Sequence, residues 1–194
     1  MHFLLEYYPP AAVSLRAGEA FYHAEHGDEA EAQRQFEALA AEDFRDLPRD
    51  EHWLVATAQL AEVACALHDR RRAAILYELL TPFAERNVVH DLLRAYAGSA
   101  SHHLGLLAAE LGRAGDAAAH FERALAMNAR MGARPYVART LFAYARALLA
   151  RPGEASRRKA TRLLDECIAA ADEIGLVSLG ERATALRPQL RARR

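Results

Sequence analysis

The chain has 194 residues, 44 of them alanine, and a formal net charge of −1. So much alanine, with few β-branched residues, excludes a strand-dominated fold and predicts an all-α protein whose helices approach closely through small side chains. The near-zero net charge gives no general reason to expect nucleic acid or an anionic membrane as partner.

In chain order, apolar periodicity predicts helices at 12–26, 28–43, 50–67, 69–84, 92–111, 113–131, 135–150 and 155–174, then a last one at 177–192 interrupted or ended by Pro188. In the third of these, Trp53, Thr57, Leu60, Ala64 and Leu67 recur at alternating four- and three-residue steps and so share one face, with Asp50 as the expected N-cap. His68-Asp69-Arg70 and the Gly112–Gly115 stretch read as turns between paired helices. The segment 86–91 reads as a loop tucked against the helices, with Asn87 its candidate ligand-contacting residue.

One pattern recurs along these helices. Ala20 is followed by Ala32 and Phe36, Ala61 by Ala73 and Tyr77, and Gly105 by Ala117 and Phe121, all at the same spacing, while Ala145, Ala160 and Leu164 form a looser fourth copy. Equal spacing implies copies of one helix pair, with the small residue at the crossing and the larger one beside it. The expected units are 12–43, 50–84, 92–131 and 135–174, in a single domain spanning 1–194.

These anchors resemble the tetratricopeptide repeat. The strings Phe44-Arg45-Asp46-Leu47-Pro48-Arg49-Asp50, Leu76-Tyr77-Glu78-Leu79-Leu80, Arg86-Asn87-Val88-Val89, Met131-Gly132-Ala133-Arg134-Pro135 and Tyr144-Ala145-Arg146 further resemble the variant found in large bacterial signal-transducing NTPases related to the maltose-regulon activator. There such repeats follow an NTPase domain and often precede a LuxR-type DNA-binding domain or accompany a nucleotide cyclase. The resemblance covers residues 15–176 and implies antiparallel helix pairs stacked in a right-handed superhelical solenoid. It also implies a protein or peptide partner, which includes other domains of a parent protein. Unit steps longer than the usual repeat depart from the family pattern.

The rest of the chemistry reads as sparse. No GxxxxGK[ST] string is present, and Leu176 to Arg194 holds no helix-turn-helix pattern, so neither ATP hydrolysis nor sequence-specific DNA reading is expected of this chain. Ser156-Arg157-Arg158-Lys159 matches S-x-x-K without its partner motifs and reads as a helix cap. His23 and His26 have a spacing that could share a metal, but no further ligand completes a set. Cys65 and Cys167 sit in apolar stretches as buried thiols, which points to a reducing compartment. No span-length apolar stretch occurs and residues 1–10 lack a basic n-region, so a cytoplasmic location is expected.

The reading is therefore of a non-catalytic interaction or sensing module with no cofactor, and its alternative is a small-ligand sensor with a pocket between repeats. Inward positions of the family, carried onto this sequence, nominate Phe21, Glu25, Glu62, His102, Leu106, Glu110, Arg139, Phe142 and Arg146 as the partner-binding face. Residues 1–50 carry a net charge of −7 and residues 151–194 one of +4. With the apolar run Phe3, Leu4, Leu5, Tyr7 and Tyr8, this asymmetry makes weak self-association an expectation.

Overall fold

The computed structural model describes residues 12–90 and 95–187. Nine α-helices make up most of those residues: α1 (Ala12–Glu25), α2 (Glu29–Leu39), α3 (Trp53–Ala66), α4 (Arg70–Leu80), α5 (Ala100–Glu110), α6 (Ala114–Arg130), α7 (Arg134–Leu149), α8 (Glu154–Ile174) and α9 (Val177–Leu186). The apolar run within residues 1–10, on which the expected self-association rests, lies outside them, as do Pro188 and the end of the predicted last helix.

Short turns close the helix pairs. Asp28 caps α2 by accepting a hydrogen bond from the Glu31 backbone N–H at 3.3 Å, and Asp69 caps α4 by accepting from Arg72 N–H at 3.0 Å. A turn this short sends the second helix back along the first. The first helices also pack on the preceding pair: α3 on α1 and α2, α5 on α3 and α4, and α7 on α5 and α6. Each pair thus covers its neighbour.

The repeated positions lie where spacing predicts. Ala20, Ala61 and Ala145 have no exposed surface, and neither do Ala32, Ala73, Ala160, Phe36, Phe121 and Leu164. At Gly105 the helices meet so closely that a Cβ would sit 2.6 Å from Cδ1 of Phe121. Tyr77 departs from the pattern by staying half-buried, because its hydroxyl meets His120 Nε2 at 3.1 Å.

Five expectations need correction. The helix predicted for 92–111 begins only at Ala100, and Asn87–His90 (β1) pairs antiparallel with Ala95–Ser99 (β2) in a two-stranded hairpin. Gly98, at φ +89°, breaks any helix there, and Ser99 caps α5 by accepting from Ser101 N–H at 3.1 Å. Asn87 is accordingly a strand residue, paired with Ser99 and exposed, rather than a loop residue. Its neighbour Val88 is buried against Val55, Ala58 and Ala100, which fastens the hairpin to α3 and α5.

Residues 40–44 do not continue α2. Glu42, Asp43 and Phe44 take positive φ values of 50–66°, which turns the Phe44 ring back onto Phe36 at a centroid distance of 5.8 Å. Asp50 stands one turn before α3 and accepts from His52 N–H at 3.0 Å, while His52 holds the cap position. Ser156 lies inside α8, whose cap is Gly153, so it is not a capping serine.

Candidate functional site

Because the first helices pack on one another, their exposed edges share a groove. Two adjoining cavities occupy it, of about 500 and 270 Å³, sharing Glu25, Glu62, Leu106, Ala143 and Arg146. All nine residues nominated for the partner-binding face line one or both. Phe21 and Glu25 come from α1, Glu62 from α3, His102, Leu106 and Glu110 from α5, and Arg139, Phe142 and Arg146 from α7. Asn87 lines neither.

The larger cavity also has walls that no inward position predicts. Pro135 and Tyr136 come from the first turn of α7, and Leu176, Val177, Ser178, Leu179 and Arg182 come from α9 and the residue before it. Gly175, at φ +74°, ends α8 in the left-handed conformation and turns the chain so that α9 packs on α8 beside the groove. The Ile174-Gly175 junction is the sequence signal for this reversal. Which side chains then face the groove depends on packing between distant elements and has no local signature.

The groove is ionic. Glu62 accepts from Arg139 Nη2 at 3.1 Å and lies 3.4 Å from His103 Nδ1. Arg182 reaches from α9 to Glu25 on α1 at 3.4 Å, and its guanidinium sits 5.1 Å from the Phe142 ring centroid. Arg146 lies over the same ring at 5.9 Å, and among the described residues no carboxylate stands within ion-pair distance of it. Phe142 itself is largely buried, so its ring forms floor rather than a protruding anchor.

Beneath the groove a chain of hydrogen bonds fixes His102. The Tyr96 hydroxyl donates to Asn128 Oδ1 at 2.6 Å, and Asn128 Nδ2 faces both Thr140 Oγ1 at 3.2 Å and the Tyr136 carbonyl at 3.4 Å. Thr140 spends its single hydroxyl hydrogen on that same carbonyl at 2.6 Å. Thr140 Oγ1 can therefore only accept from His102 Nδ1, 3.0 Å away. Burial, with lesser contributions from His103 and Arg139, pushes the His102 pKa well below its ordinary value, so the ring is neutral at pH 7. With the proton on Nδ1, Nε2 carries the lone pair, and it has no hydrogen-bond partner among the described residues.

Neither thiol is poised for chemistry. Burial pushes the Cys167 pKa up to about 11, and Cys167 Sγ donates to the Ala138 carbonyl at 3.4 Å. Cys65 is half-buried at the smaller cavity, and burial, with Glu110 and Glu62 nearby, raises its pKa as well. His23 pairs with Asp28 at 3.2 Å and His26 Nδ1 faces the Tyr22 carbonyl at 2.7 Å, so the two imidazoles have separate partners. No group of three or more metal-ligating side chains is found among the described residues, and none of their helices is long and apolar enough to cross a membrane.

Comparison with protein-family models, with curated proteins and with solved structures finds no match to this chain.

Proposed function

We propose that this chain is a tetratricopeptide-like solenoid acting as a non-catalytic protein-protein interaction and sensing module, the repeat region of a larger bacterial signalling ATPase or transcriptional regulator. One observation carries the reading: nine side chains nominated from four separate first helices line two adjoining cavities of one groove. A preformed groove binds without paying for its own ordering, and rigid stacked pairs can pass the event to attached domains. Two Arg side chains above an aromatic floor favour an acidic, partly apolar peptide as the ligand.

A small-molecule sensor is the second reading, favoured by the wall that α9 adds and by a cavity of about 500 Å³, which is the size of many small-ligand sites. Peptide display on the immobilised chain tests the first. The enriched sequences should be acidic and apolar and should lose affinity for an Arg146→Ala chain; enrichment of sequences that bind this variant equally well would place binding elsewhere on the molecule.

A further inference from the structure

We infer that the larger cavity takes an amphiphilic acid: a ligand with one carboxylate, a hydrogen-bond donor and an apolar body, as in an N-acylated amino acid or an acidic residue of a short peptide. The inference rests on the groove being the binding face and goes on to name the chemistry it selects.

The carboxylate follows from a count of charge. The cavity holds Glu25, Glu62, Arg139, Arg146 and Arg182. Glu62 is engaged by Arg139 at 3.1 Å and Glu25 by Arg182 at 3.4 Å, which leaves the Arg146 guanidinium as the charge without a counter-ion. A guanidinium stays protonated at any working pH and presents its N–H fork to a carboxylate in two parallel hydrogen bonds. The Phe142 ring centroid lies 5.9 Å from the Arg146 guanidinium and offers an aromatic face beside the carboxylate's position.

The donor follows from His102. Its side chain is 3% exposed and lines the cavity, and its Nδ1 proton is committed to Thr140. Nε2 is the ring atom left to accept a hydrogen bond, and a carboxylate cannot supply one, so a ligand matching both groups needs an N–H or O–H as well as its anion. The apolar body follows from Leu106, Phe142 and Leu179 on the walls between them. Cavity volume limits the ligand to roughly the size of a small molecule or a few residues.

Calorimetric titration with four probes tests this: N-acetyl-L-phenylalanine, its methyl ester, 3-phenylpropanoate, and a blocked tetrapeptide whose only carboxylate is a glutamate side chain beside a phenylalanine. The acid should bind, with the ester at least about tenfold weaker, since a charge-assisted hydrogen bond is lost. Arg146→Gln should cause the same loss for the acid and no further loss for the ester. On the unaltered chain 3-phenylpropanoate, which lacks the N–H, should bind more weakly than the N-acetyl acid, and His102→Phe should remove that difference. If the variant fails to fold, the comparison of the two acids on the unaltered chain still reads the contact.

Binding of the tetrapeptide alone, abolished by Arg146→Gln, would support the same chemistry with a protein as its source. Equal affinity for acid and ester, an unaltered affinity in Arg146→Gln, or no binding of any probe at millimolar concentration would overturn the inference. Display-selected acidic peptides that lost affinity for the Arg146→Ala chain while none of the four probes bound would leave the interaction reading standing while this one fell.

Discussion

At the scale of single residues, Gly105 shows how the repeat spacing becomes a packing requirement. Phe121 is fully buried and stacked on Tyr144 at a centroid distance of 5.3 Å, so its ring has nowhere to retreat from a Cβ placed 2.6 Å away. Gly105→Ala should therefore cost about 1–3 kcal/mol from overpacking, partly offset by up to about 1 kcal/mol of helix propensity. Thermal unfolding should show a Tm a few degrees lower. Gly115, with open space around its Cα, is the control, and Gly115→Ala should leave Tm unchanged or raise it. An unchanged Tm for Gly105→Ala would mean that the α5–α6 crossing is looser than described.

At the scale of elements, β1, α5 and α6 carry four histidines, His90, His102, His103 and His120, that burial holds below their ordinary pKa. Glu62 opposes this at His103 and Asp116 at His120 without reversing it. Unfolding frees these rings to protonate near pH 6.5, so below that value the unfolded chain binds more protons than the folded one and stability falls with pH. Tm should be level above about pH 7 and decline steadily from about pH 6.5 downward. A Tm that rose on acidification through this range would contradict the buried, neutral state of these rings.

The same elements show what the sequence made legible. Helix pairs and their crossings were readable because a helix repeats every few residues, and Ala61, Gly105 and Ala145 report that period locally. The inward edge of α5 was readable for the same reason, since His102, Leu106 and Glu110 are one turn apart. The hairpin was not: Ala95-Tyr96-Ala97 has helical composition, and Gly98 and the valine pair Val88-Val89 outweigh it only once Val88 has α3 to pack on. Arg182 was equally hidden, because its contact with Glu25 joins residues 157 positions apart. The state of His102 needed Tyr96, Asn128, Tyr136 and Thr140 together, from β2, α6 and α7.

At the scale of the whole molecule, the stacking of α3 on the first pair, α5 on the second and α7 on the third places all four first helices along one groove, and α9 adds a wall at its end. The opposite surface is held by contacts such as Arg72 to Glu37 at 2.6 Å and Lys159 to Glu122 at 2.7 Å. These bind second helices or neighbouring units together and contribute little individually at an exposed surface. The proposed binding face is this groove, where Arg146 has no carboxylate within ion-pair distance among the described residues, rather than the surface of the second helices. Backbone amide chemical-shift mapping on titration with a display-selected peptide or N-acetyl-L-phenylalanine tests it most directly. Shifts concentrated in α1, α3, α5, α7 and the first turn of α9 are the predicted result, whereas shifts concentrated in α2, α4, α6 and α8 would contradict it.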